Sequence, residues 1–157
     1  MPNKKMKIGI IVYSYSGNTL SVAETLAEEL KKDKHQVTIE KIEVIDDNPE
    51  IDKPIEFQNI PKISDYELII FASPVRTFSL APPMKKYLTE LPKEEKRAYC
   101  FVTQHLKSGW LGGRQAIGQI KNISQAKGIK IEKTGIINWS NKKREEQIKN
   151  IIDNFSQ

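Results

Sequence analysis

The stretch from Lys7 to Tyr13 is apolar at nearly every position. It runs straight into a turn rich in hydroxyls and glycine, Ser14-Tyr15-Ser16-Gly17-Asn18-Thr19, and an amphipathic helix follows at once. A strand with no polar face has to be covered on both sides, as a central strand of a parallel sheet is. The turn then falls where the chain enters a helix N-terminus, with unpartnered backbone N–H groups at the positive end of the helix dipole. Ser14, Ser16 and Thr19 add hydroxyls around that spot. The turn has neither the Gly-x-Gly-x-x-Gly of a dinucleotide site nor the Gly-Lys-Ser/Thr of a triphosphatase. A phosphate monoester therefore fits it better than a pyrophosphate or a magnesium-bound triphosphate.

The rest of the chain alternates strand and helix signals. A helix over about Asn18 to Lys32 aligns Leu20, Ala23, Ala27 and Leu30. Val37 to Val44 alternates apolar and charged residues, the pattern of an edge strand. The polar connector from Ile45 to Ser64, with three prolines, reads as irregular with at most one short helix. Leu68 to Ala72 is a fully apolar strand, expected to stop at Ser73-Pro74 because proline cannot pair inside a central ladder. Pro82 and Pro83 open a helix striped by Met84, Tyr87, Leu88 and Leu91. Ala98 to Val102 forms a fourth strand, and a loop from Thr103 to Gly113 leads to a helix with Ala116, Ile120 and Ile123 inward. Ile129 to Trp139 makes a fifth strand, bulged or shortened at Gly135, and Lys142 to Phe155 a last helix. Such an order predicts an α/β fold with a parallel sheet and right-handed crossovers, in a single domain over residues 1–157. Ligands of these sheets sit at the carboxyl ends of the strands, so the loops after strands one, three and four should converge.

Composition narrows the partners. The net charge of +5 is uneven: residues 1–92 hold 12 Lys/Arg and 14 Asp/Glu, residues 93–157 hold 13 and 6. There is no zinc-finger spacing and no basic helix with interleaved aromatics, so scattered surface lysines account for the excess and nucleic acid is not an expected partner. No apolar run approaches the roughly 20 residues that span a membrane, and the first strand follows Met-Pro-Asn-Lys-Lys without a signal-peptide segment; a cytoplasmic protein is expected. Cys100, the only cysteine, reads as a core residue. His35, just after a helix, reads as a surface residue.

With these motifs in place, the chain resembles the flavodoxin family over nearly its full length. The turn at 14–19 is similar to that family's phosphate loop, and Tyr66 to Pro74 and the Ala-Pro-Pro-Met helix start support the match. The resemblance implies a flavodoxin-like three-layer sandwich of the short-chain group, its five-stranded parallel sheet ordered 2-1-3-4-5, with flavin mononucleotide (FMN) as cofactor. It implies hydroxyl donation to the phosphate by Ser14, Ser16 and Thr19, with backbone N–H groups of Tyr15, Ser16, Gly17, Asn18 and Thr19 completing the shell. A second loop would set Pro74, Val75, Arg76, Thr77 and Phe78 along one face of the isoalloxazine. A third would supply Thr103, Gln104, His105, Trp110, Gly112 and Gly113. Phe78 and Trp110 read more readily as loop packing than as flavin contacts, His105 more readily as a plain loop histidine than as a proton donor, and the glycines equally well as a tight turn before a helix.

One departure from the family is electrostatic. Between Ser73 and Met84, and between Thr103 and Lys121, there is no Asp or Glu, while Arg76, Lys107 and Arg114 lie in these stretches. Cations there would favour the anionic reduced flavin and raise its potential. The leading functional reading is an electron carrier between redox partner proteins. Next is an NAD(P)H-dependent FMN oxidoreductase with a small-molecule acceptor such as a quinone, and then a flavin-free interaction module of the same fold, since fold alone does not fix function.

Overall fold

Nine consecutive residues, Leu68–Arg76, form the central strand of the sheet in the computed structural model, which describes residues 5–46, 54–105 and 111–157. The elements in chain order are β1 (Lys7–Val12), α1 (Asn18–Lys32), β2 (Gln36–Lys41), β3 (Glu43–Val44), β4 (Phe57–Asn59), β5 (Leu68–Arg76), β6 (Ser79–Leu80), α2 (Pro82–Glu90), β7 (Lys96–Gln104), α3 (Leu111–Gln125), β8 (Ile129–Asn138) and α4 (Arg144–Phe155). The parallel strands run β2-β1-β5-β7-β8, which is the expected 2-1-3-4-5 order.

Period-two alternation divides the core into two layers. Ile8, Ile10 and Val12 of β1, with Leu68, Ile70 and Ala72 of β5, pack on Val22, Ala23, Leu26 and Leu30 of α1 and Ile151 and Phe155 of α4. Ile11, Ile69, Phe71, Cys100 and Val102 face the other way, onto Met84, Tyr87 and Leu88 of α2 and Ala116 and Ile120 of α3. Cys100 is fully buried, and burial pushes its thiol up to about 12, so it stays protonated and unreactive.

Several expectations need correction. β5 does not stop at Pro74 but continues to Arg76. Its ladder with β1 ends at Val12 opposite Ala72, so at Ser73 and Pro74 β5 is paired with β7 alone and a residue without an N–H is tolerated, before Val75 and Arg76 pair with β6. The strand expected over Val37 to Val44 is broken at Ile42, whose side chain is buried and whose N–H donates to the Val12 carbonyl at 2.8 Å. Glu43–Val44 then pairs antiparallel with Phe57–Asn59, which gives the connector, expected to be irregular, a short strand. β8 is irregular at Glu132, between the Ala98 and Tyr99 pairings, and not at Gly135. Gly135 instead makes room for α4, since a Cβ there would lie 2.5 Å from Ile151. His35 is buried, not on the surface, and its Nδ1 accepts the Met6 N–H at 3.0 Å, tying the α1–β2 turn to the start of β1.

Candidate functional site

The phosphate turn opens where β1 ends. Tyr13 remains bound to the sheet through its N–H and the Ala72 carbonyl, 3.0 Å apart, and is buried. Gly17 then takes φ +93°, a left-handed value that lets the chain reverse into α1, with nothing within 4 Å of a Cβ placed there. The Ser14 hydroxyl accepts from the N–H of Gly17 at 3.1 Å and of Leu20 at 3.4 Å, gathering the turn around one point. The N-cap residue of α1, Gly17, supplies no side-chain cap, so Ser14 takes that part for the Leu20 N–H. Ser16 and Tyr15 are exposed and Asn18 is half-buried. A cavity of about 430 Å³ lies beside the turn, lined by Ser14, Tyr15, Ser16 and Gly17 and bounded by Lys41 and Glu43.

Thr19 lies deeper. Its side chain is 1% exposed, and its Oγ1 is 2.8 Å from Oγ1 of Thr103 at the end of β7. One hydroxyl of such a pair donates to the other, and the second hydrogen is left to point elsewhere. The first and third loops are thus joined at their roots.

The second loop is a hairpin that the sequence did not announce. Val75 pairs with Leu80 and Arg76 with Ser79, and the two residues between them, Thr77 and Phe78, have φ +49° and +63°. Two-residue hairpins of this hand favour Asn-Gly, and holding two ordinary residues left-handed costs about 1–2 kcal/mol each. The tip is braced from α3: the Gln119 Oε1 accepts from Ser79 Oγ at 3.0 Å and from the Leu80 N–H at 2.8 Å. Gly112 closes the brace, because a Cβ there would be 3.2 Å from both Phe78 Cα and a Val75 methyl. Phe78 is 51% exposed. Arg76 turns away from the tip, donates to the Tyr13 hydroxyl at 3.1 Å and lies over the Tyr15 ring at 5.4 Å, linking the second loop to the first.

The third loop is shorter than expected at both ends. Thr103 and Gln104 finish β7 and are buried, while Gly112 and Gly113 belong to the first turn of α3. The Gln104 side-chain amide donates to Oδ1 of Asn138 on β8, and the backbone carbonyl of Gln104 accepts the Trp139 N–H at 2.7 Å. Gly113 packs against Ile136 as Gly112 does against the hairpin, so the space beside each glycine is taken by the protein itself. His105 and Arg114 are exposed; Trp110 and Lys107 lie outside the described residues. Pro74 and Val75 are half-buried, and Thr77 is exposed. Tyr13, Gln119 and Asn138 position the loops but were not among the expected site residues. They sit in a strand end, a helix interior and another strand, where local patterning carries no functional signal.

No protein-family model matches the chain, and no curated protein matches it in sequence. Solved structures do. A flavoprotein in complex with FMN from Lactobacillus acidophilus is 19% identical with a TM-score of 0.63, over 92% of this chain and 97% of that one. An oxidised flavodoxin from Bacillus cereus is 15% identical, with a TM-score of 0.64 over 94% and 92% of the two chains. A WrbA-like flavodoxin from Agrobacterium tumefaciens is 12% identical, with a TM-score of 0.65 over 97% and 96%. At such identities the likeness is one of fold, and the fold is flavodoxin-like.

Proposed function

From this flavodoxin-like fold and its three joined loops, we propose that the protein binds FMN at the carboxyl ends of β1, β5 and β7 and carries electrons between protein partners. The observation that carries this reading is the turn at 14–19: a left-handed Gly17, an α1 N-terminus without a side-chain cap from its N-cap residue, and the Ser14 hydroxyl gathering the Gly17 and Leu20 N–H groups. That turn suits a phosphate monoester, whose oxygens would take N–H groups of the turn beyond those already donated to Ser14. Arg76, tethered between Tyr13 and Tyr15, adds a cation on the same side. The second loop and the described ends of the third, Thr103–His105 and Leu111–Gly113, would flank a flavin ring reaching from there. When bound, FMN would supply reversible uptake of electrons at its ring; the protein's part is to hold the phosphate, fix the ring between loops and shield it from water. The FMN-bound flavoprotein among the structural neighbours supports the cofactor.

The test is an absorption spectrum of freshly purified protein, followed by titration with FMN. A yellow protein with flavin bands, or quenching of added FMN fluorescence to a stoichiometric endpoint, is the expected result. A protein that is colourless and stays so overturns the reading. A second reading, an oxidoreductase using NAD(P)H, draws on Arg76 at the end of β5 and Arg114 in the first turn of α3, in stretches of sequence free of carboxylates, which suit an anionic substrate and an anionic reduced flavin. Sustained NAD(P)H oxidation with a quinone acceptor would favour it over a carrier. Among the described residues no helix is long and apolar enough to cross a membrane, and we place the protein in the cytoplasm.

A further inference from the structure

Between the β5–β6 hairpin and α2 lies an open groove of about 540 Å³, lined by Arg76, Thr77, Ser79, Leu80, Lys85 and Lys86 among others, with no carboxylate in its lining. Lys86 is shared with Glu90 at 3.7 Å and with the Ile55 carbonyl at 2.5 Å. Lys85 is exposed and makes no ion pair among the described residues. At the head of the groove stands the strained hairpin tip, held rigid by Gln119 and Gly112. It displays Phe78, 51% exposed; Leu111, 72% exposed, immediately precedes the Gly112 that abuts the Phe78 backbone, and Arg114 lies one helical turn beyond Leu111. Core packing explains neither exposed apolar residue, and backbone strain that persists in a braced turn points to function. Apolar anchors inside a rim of one charge sign are the anatomy of a protein docking face.

We propose that the groove between the β5–β6 hairpin and α2, with Leu111 and the hairpin tip at its head, docks an acidic redox protein that delivers electrons to the site. The proposal rests on FMN binding as read above. Charge complementarity selects the partner, because a groove lined by cations and by no carboxylate draws acidic proteins and repels basic ones. Each encounter moves one electron: the donor's metal centre is oxidised by one, the flavin is reduced by one, and two encounters with protons from solvent complete the reduction.

The probe is a pre-reduced, acidic plant-type [2Fe–2S] ferredoxin, mixed in stopped flow with the FMN-loaded full-length protein while flavin absorbance is followed. The second-order rate is expected to fall about tenfold or more as salt is raised from about 50 mM to about 500 mM. Lys85→Glu should slow the low-salt reaction about fivefold or more, and Leu111→Ser should slow it while its salt dependence remains. Lys149→Glu makes the same charge change on α4, far along the chain from the groove, and should have a much smaller effect. A rate indifferent to salt, an unchanged rate in Lys85→Glu, or an equal loss in Lys149→Glu overturns the proposal. Binding of the protein to phosphatidylglycerol vesicles that is abolished by Lys85→Glu, with ferredoxin kinetics unaltered, would also overturn it by assigning the groove to a membrane. Failure of the underlying reading looks different: no flavin signal is present before any ferredoxin is added.

Discussion

Thr19 and Thr103 show how much one hydroxyl is asked to do. Their Oγ1 atoms, 2.8 Å apart, are buried at 1% and 4% exposure, so each is satisfied chiefly by the other. An anion in the turn would take up the hydrogen that this pair leaves over. Replacing Thr19 by Val keeps the shape, removes that donor and leaves the Thr103 hydroxyl short of a partner. FMN affinity should fall by about 1–3 kcal/mol, and urea-unfolding stability should drop as well. Thr103→Val should cost similar stability but less affinity, since its hydroxyl sits one step behind the turn. Fluorescence titration and urea melts of both variants check this, and unchanged affinity in Thr19→Val would remove that hydroxyl from the phosphate shell. The turn itself was legible because its chemistry is local: Gly17, the hydroxyls and the following helix stripe lie within a few residues of one another. The Thr19–Thr103 pair was not, because its partners are 84 residues apart.

At the scale of elements, the β5–β6 hairpin is where local preference and tertiary structure disagree. Thr77 and Phe78 occupy left-handed positions suited to Asn and Gly, and they stay there because Gln119 and the absent side chain of Gly112 fix the backbone on either side. The double variant Thr77→Asn, Phe78→Gly should therefore raise unfolding stability by about 1–3 kcal/mol, read as a higher urea midpoint at unchanged slope. No gain would mean that the Phe78 side chain contributes as much packing as its backbone loses in strain. The same element explains why strand boundaries were only partly readable. The apolar runs located β1, β5 and β7 and the helices between them, since burial on both faces leaves a local imprint. Pro74 was expected to end a strand, yet a proline's effect depends on whether a neighbouring strand needs its N–H, and β1 has already ended there. Gly135 was expected to distort β8, yet its role is to admit Ile151, a residue of another element. His35 was placed at the surface from its position after a helix, whereas its nitrogen serves the Met6 N–H from the neighbouring strand.

The whole molecule responds to charge in two ways, one at the core and one at the site. Tyr66 is pushed up to about 12 by burial and by the Glu40 carboxylate, to which its hydroxyl donates at 2.5 Å; burial raises Tyr87 and Tyr99 too. Above the ordinary tyrosine value of 10.0 the unfolded chain releases these protons while the folded chain keeps them. Stability from this source is therefore fully present below pH 10 and lost as pH rises from about 10 towards about 12. Urea melts across that range should show the decline, and tyrosinate absorbance should develop for these residues only as the chain unfolds. At the site the sign is opposite, for here cations meet a cofactor that gains negative charge on reduction. Arg76 is anchored by Tyr13 and Tyr15 at the phosphate turn, and the stretches 73–84 and 111–121 contain no carboxylate to offset it. A unit charge at 4 Å is worth about 4 kcal/mol at an effective dielectric of 20 and less with distance and screening, while about 1.4 kcal/mol corresponds to roughly 59 mV for one electron. With FMN bound as proposed, its potential for full reduction should lie tens of millivolts or more above that of acidic flavodoxins, Arg76→Gln should lower it, and added salt should narrow the gap. A redox titration of both proteins at low and high salt decides the matter. A potential as low as the acidic proteins', or one untouched by Arg76→Gln, would limit the guanidinium to holding Tyr13 and Tyr15 together.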